Sequence, residues 1–576
     1  MNQRFTDFLK FLFILLISVS FVQAQSSFIP LNDDYYHLID RLEIKRGKFT
    51  EGFHSTVKPF ERKAVVALTD SILKEGEISL TDRDWETIDY IREDSWEWTK
   101  GFAATDSVRY NELARLGWFK SPLPGKKRKF WQHAPDLYSV NNNDFDLHFN
   151  FVTTNFLGKD ENTNSSLWLT ARGVEIRGMI NKKLGFYTFV SDSQGLFPKY
   201  VRDFAQPNSF PGEGLAKSPK LNTDFLSARG YITFRPLKSI NVKFGHDQNV
   251  FGSGYRSLIL SDNSSPYLFL RLDTQLGIFK YTNLWTSMLT DKINDGLRGK
   301  KFAAIHHLSV NLGKRFNFGI FEAEVFNRDS VGGGYDLNYL NPIIFYRYIE
   351  SYIGSQDNAL LGVDFRWLVG KKGSIYGQFV LDEFLTKYLF NGSKSWTNKY
   401  SLQLGGKYVD AFGIPNLDLQ TEFNLVRPYT YSHKDGGRNY AHYGQALAHP
   451  LGANFREYLG IVRYKATSRL SIYGTFMLAN QGKDTESHNY GSDILKSYDT
   501  RIGAIDRNYK HRTGDGIPAN TRFTDLRLSY SLAHNLFLDG RLLLRNVKSP
   551  SPDFARKTNV FSIAVRYNMA YRQQTF

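Results

Sequence analysis

The chain has 576 residues and a net charge of +16; it contains no cysteine, and 15% of it is aromatic, with 33 Tyr and 46 Phe. Without cysteine there is neither a disulfide framework nor a thiol for a lipid anchor. A mean hydropathy of −0.39 and the lack of a long apolar run after residue 24 exclude a helical membrane protein.

At the N-terminus, Arg4 and Lys10 precede an apolar run from Phe11 to Phe21, then Val22-Gln23-Ala24. A core of about 11 residues is too short to span a bilayer. The pattern predicts a secretory signal over 1–24, cleaved after Ala24.

Residues 25–120 are predicted to form a small helical domain. Asn32 or Asp33 can cap a helix with Tyr36, Ile39 and Leu42 on one face, stopped at Gly47. Pro59 suits the first turn of a second helix, striped by Val65, Leu68 and Ile72 and ended by Gly76. Thr81 and Asp84 form a capping-box pattern before Trp85, Ile88 and Ile91. A fourth helix is expected from Val108 to Leu116. Residues 27–100 carry 16 acidic and 11 basic side chains, which leaves +20 on residues 101–576 once the first 24 residues are set aside.

Residues 121–143 read as a junction. Lys126, Lys127, Arg128 and Lys129 run into Phe130 and Trp131. Cations followed by rings suit a membrane surface, and an exposed linker equally well.

From Asp144 the apolar period changes to two. Phe145, Leu147, Phe149 and Phe151 alternate with Asp146, His148 and Asn150, and Leu526, Leu528 and Tyr530 alternate with Asp525, Arg527 and Ser529. Short links such as 180–185 and 368–374 alternate with long ones at 193–222, 327–358, 428–455 and 480–520. This spacing predicts a transmembrane antiparallel β-barrel over 144–576, with about 18 strands and 16–20 as the range. The strands should start near 144, 167, 184, 223, 240, 266, 277, 303, 317, 359, 373, 399, 416, 455, 469, 521, 535 and 558. An even number returns both barrel ends to one side. The helical domain then belongs in the periplasm and the long loops at the cell surface of an outer-membrane protein. Phe576 resembles the terminal aromatic read by the outer-membrane insertion machinery.

No catalytic constellation stands out, so neither an enzyme nor a cofactor is expected. His306 and His307 are adjacent in a strand and face opposite ways, which is poor geometry for a metal. The sequence GSGY (252–255) lacks the strand–helix setting of a phosphate loop and reads as a turn. Loop 428–455 interleaves Tyr429, Tyr431, Tyr440 and Tyr443 with Arg438, Asn439, His442 and Gln445; loop 480–520 adds Asn489, Tyr490, Tyr498, Arg501, Arg507, Tyr509, Lys510 and Arg512. Rings can stack on sugar faces while guanidiniums hold carboxylates, and the same residues suit a barrel's outer rim without any ligand.

The segment FGHDQNVFGSGYRSLILSDNSSPYLFLRLDT (244–274) resembles the Wzi family of capsule-assembly proteins. LNPIIFYRY (340–348) and PLNDDYYHLIDRLEIKRG (30–47) resemble further blocks of that family. The resemblance implies a barrel of about 18 strands with a helical periplasmic domain, acting as a lectin for capsular polysaccharide. Length and long loops also resemble the RemB-like gliding-motility branch.

On that basis the expected role is attachment or assembly of surface polysaccharide, with gliding motility as a setting. Tyr255, Arg256, Arg438 and Tyr440 are the expected glycan contacts. The expected partners are outer-membrane lipid and lipopolysaccharide, an acidic polysaccharide, and other outer-membrane or motility proteins, with no nucleic acid. The alternatives are a porin or transporter, or a secretion or motility accessory protein.

Overall fold

A computed structural model describes residues 25–75, 78–99, 130–205, 209–218, 222–294, 297–327, 334–343, 345–354, 357–382, 395–502 and 511–576. The expected signal (1–24), the expected fourth helix (Val108–Leu116), the basic run at 126–129, and Arg507, Tyr509 and Lys510 lie outside the described residues.

Three helices come first: α1 (Asp33–Arg46), α2 (Arg62–Glu75) and α3 (Asp82–Asp94), with a 3-10 turn over Trp96–Trp98. Asn32 is the cap of α1, its side chain accepting from the Asp34 and Tyr35 amides, and Gly47 closes it with φ 71°. Thr81 and Asp84 make the reciprocal capping box of α3. Pro59 falls short of α2 and lies in the connection before it. The three apolar stripes meet in one small core around Ile39, Leu42, Leu68, Ile72, Ile88 and Ile91.

The barrel has 18 antiparallel strands. They are β1 (Phe145–Asp160), β2 (Ser165–Ile180), β3 (Leu184–Leu196), β4 (Thr223–Leu237), β5 (Ile240–Asp247) and β6 (Tyr267–Leu276). Next come β7 (Phe279–Asn294), β8 (Leu297–Leu312), β9 (Phe316–Phe326), β10 (Asn358–Val369), β11 (Gly373–Asp382) and β12 (Lys399–Tyr408). The last six are β13 (Leu417–Val426), β14 (Phe455–Lys465), β15 (Leu470–Lys483), β16 (Ile517–Ala533), β17 (Leu536–Lys548) and β18 (Arg556–Tyr567). Neighbours in sequence are neighbours in space, and β18 closes on β1 through Phe561↔Lys159 and Ile563↔Leu157.

Alternation explains why these segments form strands. On β1, Asp146, His148, Asn150 and Val152 are buried while Phe151 and Leu157 stand exposed outside. Along β16, Thr521, Phe523, Asp525, Arg527 and Ser529 face in, and Leu526, Leu528 and Tyr530 face out. An outward apolar belt with an inward polar face is the signature of a membrane-spanning barrel. Phe130 and Trp131 are exposed at its turn end, where the Trp131 indole lies 3.4 Å from the Tyr567 hydroxyl.

The structure corrects two expectations. Phe576 does not end a strand. Residues 568–576 turn back into the lumen, and the Phe576 ring is buried 3.9 Å from that of Phe204, on the short helix α4 (Lys199–Phe204). The linker 327–358 does not simply extend from the rim either. Its residues Tyr335, Tyr339, Tyr346, Ile349 and Ile353 pack on the outer wall of the barrel.

Candidate functional site

The lumen is occupied from both ends, and the chemistry of the two closures differs. At the turn end the helical region docks through ion pairs. Arg41 of α1 donates to Asp84 (2.7 Å) and Asp410 (2.6 Å), and also pairs with Asp418 on β13. Lys45 reaches Asp410 at 2.8 Å and also pairs with Asp84. Asp40 and Glu43 receive Arg366 of β10 at 3.2 and 2.8 Å, and Lys407 of β12 also binds Asp40. Asp34 accepts from Arg527 at 2.7 Å, and Glu97 pairs with Arg177. The pairing runs both ways: Asp34, Asp40, Glu43 and Glu97 meet barrel cations, while Arg41 and Lys45 meet the carboxylates Asp410 and Asp418. Such pairs offset the cost of burying charge only when every partner is present.

These contacts set the ionisation of groups near the turns. Burial pushes the Asp84 carboxyl up, but Arg41 and Lys45 together hold it below the ordinary carboxylate range. At Asp410, burial is likewise outweighed by Lys45 and Arg41, which bring the group to about 2. His534, in the β16–β17 turn, is raised to about 9: burial opposes its charge, and Asp94 and Glu93 more than compensate. Its ring stacks on Tyr90 of α3 at 4.8 Å.

At the loop end, segments 248–266 and 427–454 fold inward and meet each other. The Tyr431 hydroxyl lies 2.6 Å from the Leu258 carbonyl and 2.7 Å from Ser401 Oγ. Tyr440 donates to the Ile259 carbonyl at 2.8 Å, and the Ser261 amide donates to Leu447 at 2.8 Å. Gln378 of β11 accepts from the Leu258 amide (2.7 Å) and donates to the Phe251 carbonyl (3.0 Å). The two closures touch in mid-lumen, where Val57 and Lys58 pair as a short strand with Phe251 and Val250.

Between them, on the side of β1–β4 and β14–β18, a cavity of about 380 Å³ remains. Asp33, Arg229, Tyr255, Tyr473, Tyr571 and Arg572 are among its lining residues.

The four expected contact residues fall in different places. Arg256 is buried, donating to Glu457 (3.0 Å) and to the Thr575 carbonyl (2.6 Å). Its guanidinium carbon lies 5.3 Å from the Tyr255 ring, and the Tyr255 hydroxyl donates to Gln573 at 3.0 Å. Tyr440 is wholly buried, so it packs the plug and presents nothing to solvent. Arg438 is near the surface, within 3.7 Å of Asp357 and 3.5 Å of Asp435. Tyr255 and Arg256 are therefore brought together as lumen residues, apart from Arg438.

A further half-buried group, with Lys399 fully buried, was passed over in the sequence. Trp396 holds Arg501 at 4.2 Å over its ring and Tyr498 at 4.9 Å, while Lys399 lies 4.8 Å over Tyr498. Arg501 and Tyr498 belong to the Tyr- and Arg-rich loop read from the sequence, but Trp396 comes from the β11–β12 link. A lone Trp in a link carries no pattern. His306 and His307 do face opposite ways, towards Glu322 outside and Asp364 inside.

No family model matches the chain, nor does any curated protein. Among solved structures it is similar to Escherichia coli Wzi, an outer-membrane protein involved in group 1 capsule assembly and described as a carbohydrate-binding β-barrel. The identity is 11%, the match covers 95% of this chain and 100% of that one, and the TM-score is 0.56. It is more loosely similar to Pseudomonas aeruginosa OprD (11% identity, 73% and 94% covered, TM-score 0.40). Acinetobacter baumannii OccAB2 gives 9% identity, 73% and 97% covered, and TM-score 0.42. At such identities the likeness to Wzi establishes the fold and no more.

Proposed function

We propose that the protein sits in an outer membrane, helical region in the periplasm, and holds an acidic polysaccharide at the cell surface. The observation that carries this reading is the doubly filled lumen, which suits a scaffold better than a diffusion channel. The full-length likeness in fold to a carbohydrate-binding barrel, and the +20 charge outside the helical region, support it. The ligand would rest on the rim: Trp396 and Tyr498 offer ring faces, and Arg501 and Arg438 offer guanidiniums for carboxylates. Arg256, Tyr255 and Tyr440 would act by holding the loops that shape this rim. The resemblance to gliding-motility proteins points to motility as the setting, with another outer-membrane protein beside the glycan.

A desolvated charge-assisted contact contributes roughly 1.5–3 kcal/mol. Trp396→Ala combined with Arg501→Ala should therefore weaken glycan binding by more than tenfold and shed polysaccharide into the medium, with the barrel still assembled. Wild-type retention in the double variant, together with salt-independent or absent glycan binding by the purified protein, would overturn the proposal.

A further inference from the structure

The outer wall of the barrel carries a polar site where an apolar belt is required. On strands β8 and β9, His306 and Glu322 are paired across the ladder and belong to the outward row that continues into Leu361 and Leu381. Each lies six positions from its strand's turn end, at Leu312 and Phe316. Phe151, Phe476, Leu542 and Phe561 lie equally far along their own strands and are exposed to the surroundings. His306 and Glu322 are therefore at the height of the lipid-facing belt. An uncovered carboxylate there would be costly.

The segment Leu337–Ile353 covers them. It consists of a 3-10 turn (Leu337–Leu340) and helix α5 (Tyr346–Ile353). Both Glu322 oxygens accept from the N-terminal amides of α5, Tyr346 and Arg347, at 3.0 Å. The Tyr346 ring lies 3.9 Å from that of His306, and the Trp285 indole donates to the Tyr339 carbonyl at 3.0 Å. Tyr339 and Tyr346 are buried against Phe302, Ala304 and Phe326, which lie on the strands up to ten positions from the turn end. The open face of the segment is dominated by large apolar and aromatic groups: Ile343 is 84% exposed, Phe345 68%, Tyr348 60% and Tyr352 77%, with Asn338, Asn341 and Arg347 also exposed and Arg347 paired to Glu350.

We infer that residues 337–353 are a membrane-embedded strap, whose open face docks into the acyl chains of the leaflet on the loop side. The strap covers His306 and Glu322, beside the buried outward residues Asn283 and Glu324, and replaces them with a new hydrophobic surface continuous with Ile320 and Val363 of the belt. This gives LNPIIFYRY (340–348) a role apart from the glycan rim. It also removes much of the 327–358 link from the cell surface.

Because the chain has no cysteine, single-cysteine labelling reads this directly. Ile343→Cys and Tyr352→Cys would carry a small fluorophore in phosphatidylcholine vesicles containing lipid brominated along its acyl chains. Leu402→Cys in the belt and Lys434→Cys in a loop serve as references, both being exposed. Both strap sites should be quenched at least half as strongly as Leu402→Cys, and should react several-fold more slowly than Lys434→Cys with a water-soluble thiol reagent. Quenching no greater than that of Lys434→Cys at both sites would overturn the inference. So would protection from lipid and water quenchers alike, which would mean that a second copy covers the face.

Discussion

The two ends of the lumen are closed by different means. The turn end is held by charge: Arg41 alone faces Asp84, Asp410 and Asp418, and Arg366 faces Asp40 and Glu43. The loop end also holds a buried Arg256–Glu457–His449 cluster, but Tyr431, Tyr440, Ser261 and Gln378 add neutral bonds to backbone. Among the described residues the helical region joins a strand edge only at Val57–Lys58, so its specificity comes largely from side chains that find distant partners. The loops are already tethered at both ends by their strands and need only satisfy their own backbone.

The largest expected effect breaks the charged end. Arg41→Met leaves three carboxylates short of a cation and should cost about 3–5 kcal/mol. The helical region should become protease-sensitive while the barrel keeps its resistance to heat in detergent. Equal loss of both would mean that the closures do not act separately.

A smaller effect comes from pH. His534 has a folded value of about 9, above the ordinary histidine value of about 6.5, so its contribution is complete below pH 6.5 and disappears as pH rises through 9. Asp410, at about 2, works in the other sense: its contribution is present above pH 4 and is lost as pH falls towards 2. Protease access to the helical region should therefore rise on both sides of neutrality. His534→Gln should remove the alkaline limb, a change of about 1–3 kcal/mol. A flat profile from pH 5 to 10 would contradict the assignment.

The smallest effect sharpens the contrast. Tyr440→Phe removes the hydrogen bond to Ile259 and should cost about 1 kcal/mol. That loss should be the same at pH 5 and pH 9. A pH-dependent penalty would couple this bond to the Arg256–Glu457–His449 cluster of the same plug.

Much of the fold was legible because lipid imposes a strict alternation. The expected strand starts fall within a few residues of the observed ones, the largest gap being 303 against Leu297 on β8, where Lys300 and Lys301 interrupt the apolar pattern. The helix stripes were legible because the three helices share one apolar core. The partners of the remaining faces were not. Nothing local ties Asp40 and Glu43 to Arg366 more than 300 positions away. A loop tyrosine has the same local sequence whether it is buried, like Tyr440, or near a rim, like Tyr498. The strap was hidden because His306 and Glu322 look like inward positions of an alternating strand.

The central claim is that the chain's own segments fill its barrel from both ends. Single-channel recording of the purified protein in a planar bilayer tests it most directly. A silent bilayer is expected at neutral pH, both for the unaltered protein and for Arg41→Met, whose loop end stays closed through Tyr431, Tyr440 and Gln378; a steady ohmic conductance from the unaltered protein would contradict the double closure.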